Sequence, residues 1–497
     1  MLYGKEKTSI KINDITITKA VKISVIHYAL LALVITCIIF RAQQSNKKTD
    51  SQQLQNFFFS LQNDTESQQE IKFDNCAYFV DVPATVLPWQ PFEINIRYKK
   101  SPKMECTFDD QDGGSVFRVQ LYSIYEMSSQ TIVYKGNGTY YVNITLTIPT
   151  KYIAMVFVTY VHHQGEETRR HVNPLLRQLR GSPFELLVLN RNQSSPPLGY
   201  SKYCSRNESG VVAGRWVKCG AIFPKVEQCG PWQSAEFDFD KINGFHWLPY
   251  TCQYHSFTND EMKKCFAKNG WDSIVFAGDS HMRYRAYHWA SRLYGGCTSC
   301  VKTHIQMIFE KTPRIEWIFD ARGTRLPLSF HNISLPFEKY IHQKVRRSKF
   351  SKPFSQTALK SQLFLLNFGH WVLRESLDRE FMEKKLHAYG RAAQKLIAQK
   401  KVVIWVNTVS LPWRMDRAVK NWRENTSPYR VRHFNQIADR ILSGYGIPIV
   451  DAYSVSDSRI GATHDQTHFT KRMPGNEYGG VVENAISNII FNKLCNK

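Results

Sequence analysis

From residue 271 onward, short apolar runs alternate with longer stretches in which apolar residues recur at helical spacing. The apolar runs predict strands at 273–277, 315–319, 362–366, 402–406 and 447–450. The helical stretches are 284–294, 377–400, 431–442 and 481–494. Strands that alternate with helices are typical of a parallel sheet covered on both faces, in which function lies at the carboxyl ends of the strands.

Residues 71–190 follow a different pattern. Short runs of β-branched and aromatic residues are separated by turn residues, which predicts about seven strands and an immunoglobulin-like sandwich. The Gly181-Ser182-Pro183-Phe184 stretch resembles the start of the last strand in a filamin-type repeat. We expect this domain to be a spacer or binding module without chemistry of its own.

The apolar run 23–40 is about long enough to cross a bilayer as a helix. A cleaved signal peptide is the alternative, but no small-x-small cleavage site follows the run. Lysines dominate the charge of residues 1–22, so this tail is expected to be cytosolic. Residues 41–70 are polar and predict a flexible stem. These patterns together predict a single-pass type II membrane protein whose later domains face the lumen of the secretory pathway, such as the Golgi, or the outside.

Cysteine placement and charge refine this picture. Ten of the 11 cysteines follow the apolar run, which favours disulfides in an oxidising compartment. A cysteine-rich lead-in, 200–265, opens the C-terminal domain 200–497, and its cysteines lack the close pairing of a zinc site.

The net charge of +23 suits anionic glycans or membranes as partners, or a solvated surface without a partner. We expect no nucleic acid as partner, because of the compartment.

Candidate chemistry begins at Gly278-Asp279-Ser280, directly after the strand 273–277 and before a helix. Gly278 permits a tight turn, and the following helix directs free N–H groups to the same place. Ser280 is therefore the candidate nucleophile. A serine hydroxyl is a weak nucleophile and needs a base.

Asp465 and His468 supply a candidate base near the last strand. At this spacing, a carboxylate can orient the imidazole, which would then accept the proton of Ser280. A surface turn without function is the first alternative. Metal binding by His464 and His468 is the second, but it requires a helix that the pattern does not predict. We expect neither a metal nor a bound cofactor.

A third group follows the strand 362–366. The side-chain amide of Asn367 is a candidate oxyanion donor. Arg283 is a candidate for the oxyanion or for substrate binding, with a surface helix charge as the alternative. His370 and Trp371 are candidate pocket residues, with buried packing as the alternative.

In order, Gly278-Asp279-Ser280, Asn367 and Asp465-x-x-His468 resemble the blocks of SGNH, or GDSL, hydrolases. The chain further resembles the PC-esterase branch of these hydrolases in Gly214-Arg215-Trp216, Trp247-x-Pro249-x-x-Cys252, Arg283 and Gly369-His370-Trp371. This branch includes the trichome-birefringence-like polysaccharide O-acetyltransferases. With a sandwich ahead of it, the chain resembles the neurexophilin and PC-esterase domain family. The resemblance implies an SGNH-like α/β fold and acyl transfer involving glycan hydroxyls, with Ser280 as nucleophile, His468 as base and Asp465 as its orienting group.

We therefore expect an O-acyltransferase, in particular an O-acetyltransferase, that modifies a glycan or glycoprotein acceptor and uses an acyl donor such as acetyl-CoA. An esterase with the same triad, in which water accepts the acyl group, is the second hypothesis. A non-enzymatic exported binding or adhesion protein is the third. The intact Ser280, Asp465 and His468 argue against this third hypothesis.

Overall fold

The computed structural model describes residues 77–99, 116–160, 177–179, 181–190, 202–210, 213–220, 244–296, 301–302, 306–330, 352–375, 378–411, 426–472 and 477–496. The predicted tail 1–22, anchor 23–40 and stem 41–70 lie outside these residues. No helix in the described ranges has both the length and the apolar character needed to cross a bilayer. Within this part of the chain, the prediction of a single-pass membrane protein is therefore not borne out.

The described residues between 77 and 190 form the strands of two β-sheets. These strands are β1 (Ala77–Asp81), β2 (Thr85–Val86), β3 (Pro91–Lys99), β4 (Val116–Tyr122), β5 (Glu126–Thr131), β6 (Val133–Gly136), β7 (Thr139–Thr145), β8 (Lys151–Tyr160), β9 (Arg177–Gln178) and β10 (Phe184–Val188). The smaller sheet has the order β1-β3-β7-β6. Buried side chains alternate along β7, as expected for a strand with one face against a core. Residues from both sheets share that core, for example Ile94 and Val142 with Val119 and Val156.

Two strands from the cysteine-rich lead-in extend the larger sheet. They are β11 (Gly214–Lys218) and β12 (Phe245–Pro249), and the full order is β12-β11-β5-β4-β8-β10-β2 with β9 beside β8. Trp216 of β11 pairs with Met127 of β5 in antiparallel register. The lead-in therefore completes the sandwich sheet in addition to opening the C-terminal domain.

A buried charge fixes this extension. Glu126 is fully buried and accepts hydrogen bonds from the Thr147 N–H at 2.9 Å and the Tyr152 hydroxyl at 2.7 Å. The Nε of Arg215 lies 3.7 Å from the other Glu126 oxygen, and the guanidinium packs over the rings of Trp89 and Tyr250. Because a buried carboxylate needs both hydrogen bonds and an opposite charge, Arg215 joins β11 to the sandwich core.

The C-terminal part contains a seven-stranded sheet. Its strands are β13 (Ser273–Gly278), β14 (Val301–Lys302), β15 (Gln306–Phe309), β16 (Arg314–Phe319), β17 (Leu363–Leu366), β18 (Val402–Val406) and β19 (Ile449–Val450), and a separate pair consists of β20 (Lys471–Arg472) and β21 (Tyr478–Gly479). The sheet order is β14-β15-β16-β13-β17-β18-β19. In this order, the five strands β16, β13, β17, β18 and β19 are parallel to their neighbours. Strand β15 pairs antiparallel with both β14 and β16.

The predicted fold class, a parallel SGNH-like sheet after a separate sandwich and a membrane helix, is therefore wrong. The C-terminal sheet is mixed, because β15 and β16 form a hairpin that adds antiparallel strands at one edge. In addition, the sandwich sheet includes strands from the C-terminal region. Strand β13 lies between β16 and β17, both of which follow it in the chain. Such a reversal of strand order opens a crevice at the carboxyl ends of the strands.

Helices cover both faces of this sheet. They are α1 (Asn259–Asn269), α2 (Ser280–Tyr294), α3 (Arg325–Leu328), α4 (Gln356–Leu359), α5 (Gly369–Glu375), α6 (Arg379–Ala398), α7 (Pro428–Gly444), α8 (Ala452–Asp457) and α9 (Val481–Cys495). On one face, α6 and α7 pack onto the sheet through a continuous apolar core that includes Tyr389 and Phe434. On the other, α2 contacts α9 through the buried ion pair of Arg285 and Glu483, at 2.6 Å, and the stacked rings of Trp289 and Phe491.

Two disulfides stabilise the region around α1 and α9. Cys204 and Cys252 are bonded across 48 residues, and Cys265 and Cys495 are bonded across 230 residues. The second bond joins α1 to the end of α9. In the chain-entropy description, the bond that closes the longer loop restricts the unfolded chain more.

We therefore expect replacement of both Cys265 and Cys495 by serine to lower the free energy of unfolding by about 2–5 kcal/mol. The matched control replaces Cys204 and Cys252, and its loss should be roughly 1 kcal/mol smaller, because that loop is shorter. Urea denaturation of the three proteins measures both differences. A double variant at Cys265 and Cys495 as stable as the parent would contradict the expectation.

Candidate active site

The candidate site lies at the carboxyl end of β13, where the strand order reverses. Gly278 ends the strand with φ +158°, and a Cβ there would lie 2.5 Å from Met282 Cγ and 2.6 Å from the Asn367 carbonyl oxygen. Only glycine fits a backbone approach this close. The tight turn places Ser280 as the first residue of α2.

Asp279 caps the helix that begins at Ser280. Its buried carboxylate accepts a hydrogen bond from the His281 N–H at 2.9 Å. The Asp279 carbonyl accepts from Trp317 Nε1 on the neighbouring strand at 3.1 Å. These contacts fix the first turn of α2, and the N–H of Ser280 points out of the helix with no hydrogen-bond acceptor in the described part of the chain.

The structure brings Ser280, His468 and Asp465 together, although 188 residues separate the serine from the histidine. His468 Nε2 lies 2.8 Å from Ser280 Oγ, and His468 Nδ1 lies 2.6 Å from Asp465 Oδ2. An ionised carboxylate only accepts, so Nδ1 carries the proton and Nε2 accepts from the serine hydroxyl. This tautomer is the one that a general base needs.

Asp465 holds its own loop as well as the imidazole. Its Oδ1 accepts from the His468 N–H at 2.7 Å and from the Thr467 N–H at 3.0 Å. Burial alone would raise the pKa of the Asp465 carboxyl, but hydrogen bonds from the His468 ring and from these N–H groups outweigh it and keep the pKa well below its usual range. Asp465 is therefore a permanent anion beside the base.

His464 does not act as the metal-binding alternative requires. Its Nδ1 lies 3.2 Å from the His468 carbonyl oxygen, and its Nε2 lies 3.6 Å from Asp465 Oδ2. Residues 464–468 form a turn and not a helix. Within the described ranges, no group of three or more His, Cys, Asp or Glu residues has the arrangement of a metal site.

Aromatic rings surround the base. The ring of Tyr284 lies 4.5 Å from that of His468, and the ring of His281 lies 5.1 Å from it. Neither residue was singled out from the sequence. Their positions one and four residues after Ser280 were the available signal, since the first turn of a helix surrounds its own N-terminus.

His370 is buried at the start of α5, with its ring 4.8 Å from that of His281. Burial, followed by the charge of His281, lowers the pKa of His370 to about 3. Burial, followed by the charges of His468 and Arg285, also lowers the pKa of His281 well below its usual range. Both imidazoles are therefore neutral near pH 7.

The backbone N–H of Asn367 donates to the Ala277 carbonyl at 3.0 Å, but the side-chain amide of Asn367 faces another strand. Both hydrogens of its Nδ2 are used, one by the Val406 carbonyl at 2.8 Å and one by Thr408 Oγ1 at 3.0 Å. In this arrangement Asn367 joins the ends of β17 and β18 and has no amide hydrogen left for an oxyanion.

Arg283 on α2 and Trp371 on α5 are both partly buried. The Arg283 guanidinium carbon lies 5.4 Å from the ring centres of Tyr284 and Trp317, and its buried Nε has no acceptor in the residues that the structure describes. Trp371 contacts Phe319 edge to face and lies beneath the guanidinium groups of Arg322 and Arg374. Arg283 is thus the available cation one helical turn from Ser280.

The pKa of His370 predicts a pH-dependent loss of stability. Unfolded histidine binds a proton below about pH 6.5, whereas folded His370 stays neutral down to about pH 3. The folded state therefore loses stability as the pH falls through this window. We expect His370→Phe to reduce this loss by roughly 2 kcal/mol between pH 7 and pH 5, measured by urea denaturation at each pH. If the free energy of unfolding fell equally with pH in the variant and the parent, the expectation would be contradicted. A comparison of the two proteins at pH 8, where histidine is neutral in both states, isolates any packing effect of the substitution.

Comparison with known proteins adds little to this geometry. The chain matches no protein-family model and no curated protein. Among solved structures it is similar to that of a candidate glycoside hydrolase from Bacteroides vulgatus, with 10% sequence identity and a TM-score of 0.17. The alignment covers 72% of this chain, which spans about half, 54%, of that protein. At this low similarity, neither the fold nor the activity of that protein can be assigned to this chain.

Proposed function

We propose that this chain is a serine-dependent O-acyltransferase, in particular an O-acetyltransferase, that modifies glycan hydroxyls. The observation that carries the proposal is the unbroken line of hydrogen bonds from Ser280 through His468 to Asp465. The nature of the acyl group and of the acceptor rests on the resemblance to the PC-esterase branch and to the neurexophilin and PC-esterase domain family.

In the first half-reaction, His468 Nε2 removes the hydroxyl proton as Ser280 Oγ attacks the carbonyl carbon of an acyl donor such as acetyl-CoA. Negative charge develops on the carbonyl oxygen. The Ser280 N–H at the N-terminus of α2 is placed to stabilise it, and the Arg283 guanidinium is the second candidate. The bond to the leaving group then breaks, His468 returns the proton to that group, and the acyl ester remains on Ser280.

In the second half-reaction, a sugar hydroxyl gives its proton to His468 and attacks the ester carbon. The acyl group moves to the sugar oxygen, and Ser280 recovers its proton from His468. Asp465 stays ionised throughout and stabilises the imidazolium that forms in each half-reaction. If water takes the place of the sugar, the same residues make an esterase.

The test uses the full chain, produced where its disulfides form. We expect incubation with labelled acetyl-CoA, or with p-nitrophenyl acetate, to leave an acetyl group on the Ser280 peptide, detected by mass spectrometry. Ser280→Ala should lower turnover by about 10³-fold or more, because alanine has no hydroxyl to carry the acyl intermediate. Ser273→Ala, at the opposite end of β13, is the matched control and should keep the activity of the parent.

Each outcome has a separate meaning. Acyl transfer that requires added glycan supports the transferase, whereas release into water alone identifies an esterase. If neither acyl-serine nor turnover is detected, the enzymatic proposal is wrong, and the hypothesis of a non-enzymatic binding protein remains.

A further inference from the structure

We infer that the β-sandwich positions the catalytic loop, defined as residues 458–468, through the contact of Arg118 with Asp457. Arg118 is then a positioning residue, since it touches neither Ser280 nor His468. The inference rests on the proposed function, because it concerns how Asp465 and His468 reach the nucleophile.

The contact begins in the middle of the larger sandwich sheet. Arg118 lies on β4, and its Nε donates to Ser129 Oγ on β5 at 2.9 Å. Its Nη2 lies 3.3 Å from Asp457 Oδ2 and also donates to the Asp457 carbonyl oxygen. The two side chains are only 9% and 5% exposed, so solvent screens the pair weakly.

Asp457 connects the two parts of the molecule. From the sandwich, Ser129 Oγ donates to Asp457 Oδ2 at 3.3 Å. From the C-terminal sheet, Ser410 Oγ, four residues beyond the end of β18, donates to Oδ1 at 2.7 Å. A buried carboxylate held from both sides has a defined position, and loss of its cation leaves an uncompensated charge.

Other sandwich-sheet residues hold the chain just before and just after Asp457. Trp216 Nε1 on β11 donates to the Val455 carbonyl at 3.0 Å. The Arg459 guanidinium carbon lies 5.1 Å from the Trp216 ring and 5.9 Å from the Phe245 ring on β12. The end of α8 is therefore held at Val455, Asp457 and Arg459 by one sheet.

The catalytic loop directly follows Asp457. Asp457 is the last residue of α8, and Asp465 follows eight residues later. Between these two residues, the Ala462 N–H donates to the Arg459 carbonyl at 2.9 Å, so the chain forms a compact hydrogen-bonded turn there. Movement at Asp457 would consequently reach Asp465 and change the angle at which His468 meets Ser280.

A purely structural role makes a different prediction. If Arg118 only stabilised the fold, its loss would lower the melting temperature and leave the chemistry of each folded molecule unchanged. The rate at which a fluorophosphonate labels Ser280 separates the two roles, because it reports activation of the serine by His468 without any glycan or acyl donor.

The experiment compares Arg118→Met with Arg97→Met in the full chain. Arg97 forms an exposed ion pair with Asp81 on the smaller sheet, at 3.4 Å, and is the matched control. For Arg118→Met we expect labelling and kcat, per folded molecule, to fall about tenfold, with KM for the acyl donor changed less than about twofold. Arg97→Met should equal the parent, and Arg118→Lys should recover part of the loss by restoring the charge.

Labelling of Arg118→Met at the rate of the control would overturn the inference. If Arg118→Met does not fold, Ser129→Ala decides: a labelling rate reduced about threefold supports the inference, and an unchanged rate overturns it. Failure of the proposed function is distinguishable, since Ser280→Ala would then be labelled as fast as the parent regardless of Arg118.

Discussion

The hydrogen bond between Ser280 and His468 depends on a carboxylate that serves two purposes. Asp465 accepts from the imidazole through one oxygen and from two backbone N–H groups of its own turn through the other. The turn and the ring are thus fixed by the same anion. Without that anion, neither the loop shape nor the tautomer of His468 would be defined, and the serine would lose its base.

Buried charges of this kind recur through the C-terminal part, each with compensating partners. Asp320 accepts from the N–H groups of Thr324, Arg325 and Leu326 and so shapes the turn after β16. The ion pair of Arg285 and Glu483 joins α2, which carries the nucleophile, to α9. Because an unpaired buried charge is costly, these contacts specify particular arrangements of neighbouring elements.

The sequence predicts the elements around the nucleophile well, for identifiable reasons. The run 402–406 coincides with β18, and the run before Gly278 coincides with nearly all of β13, because fully buried strands are continuously apolar. The helix after Ser280 begins four residues earlier than its apolar pattern indicates. Asp279 starts it by capping, and polar residues such as Ser280 and His281 conceal the first turn.

Other features depend on contacts between distant parts of the chain. The hairpin of β15 and β16 made the sheet mixed, and β15 was not predicted because its four residues, Gln306–Phe309, are too few to show a distinct pattern. The pairing of β11 with β5 joins residues about 90 positions apart. The amide of Asn367 turned toward Val406 because β18 ends beside it, which a motif alone does not reveal.

The distances along the chain between bonded partners also determine when the molecule can become complete during synthesis. The thiol of Cys265 must wait for 230 more residues before its partner is made, and Ser280 must wait for 188 before it meets His468. Since translation proceeds at roughly 5–20 residues per second, Cys265 spends on the order of ten seconds or more without its native partner. During that interval Cys265 is exposed to pairing with cysteines that precede it in the chain.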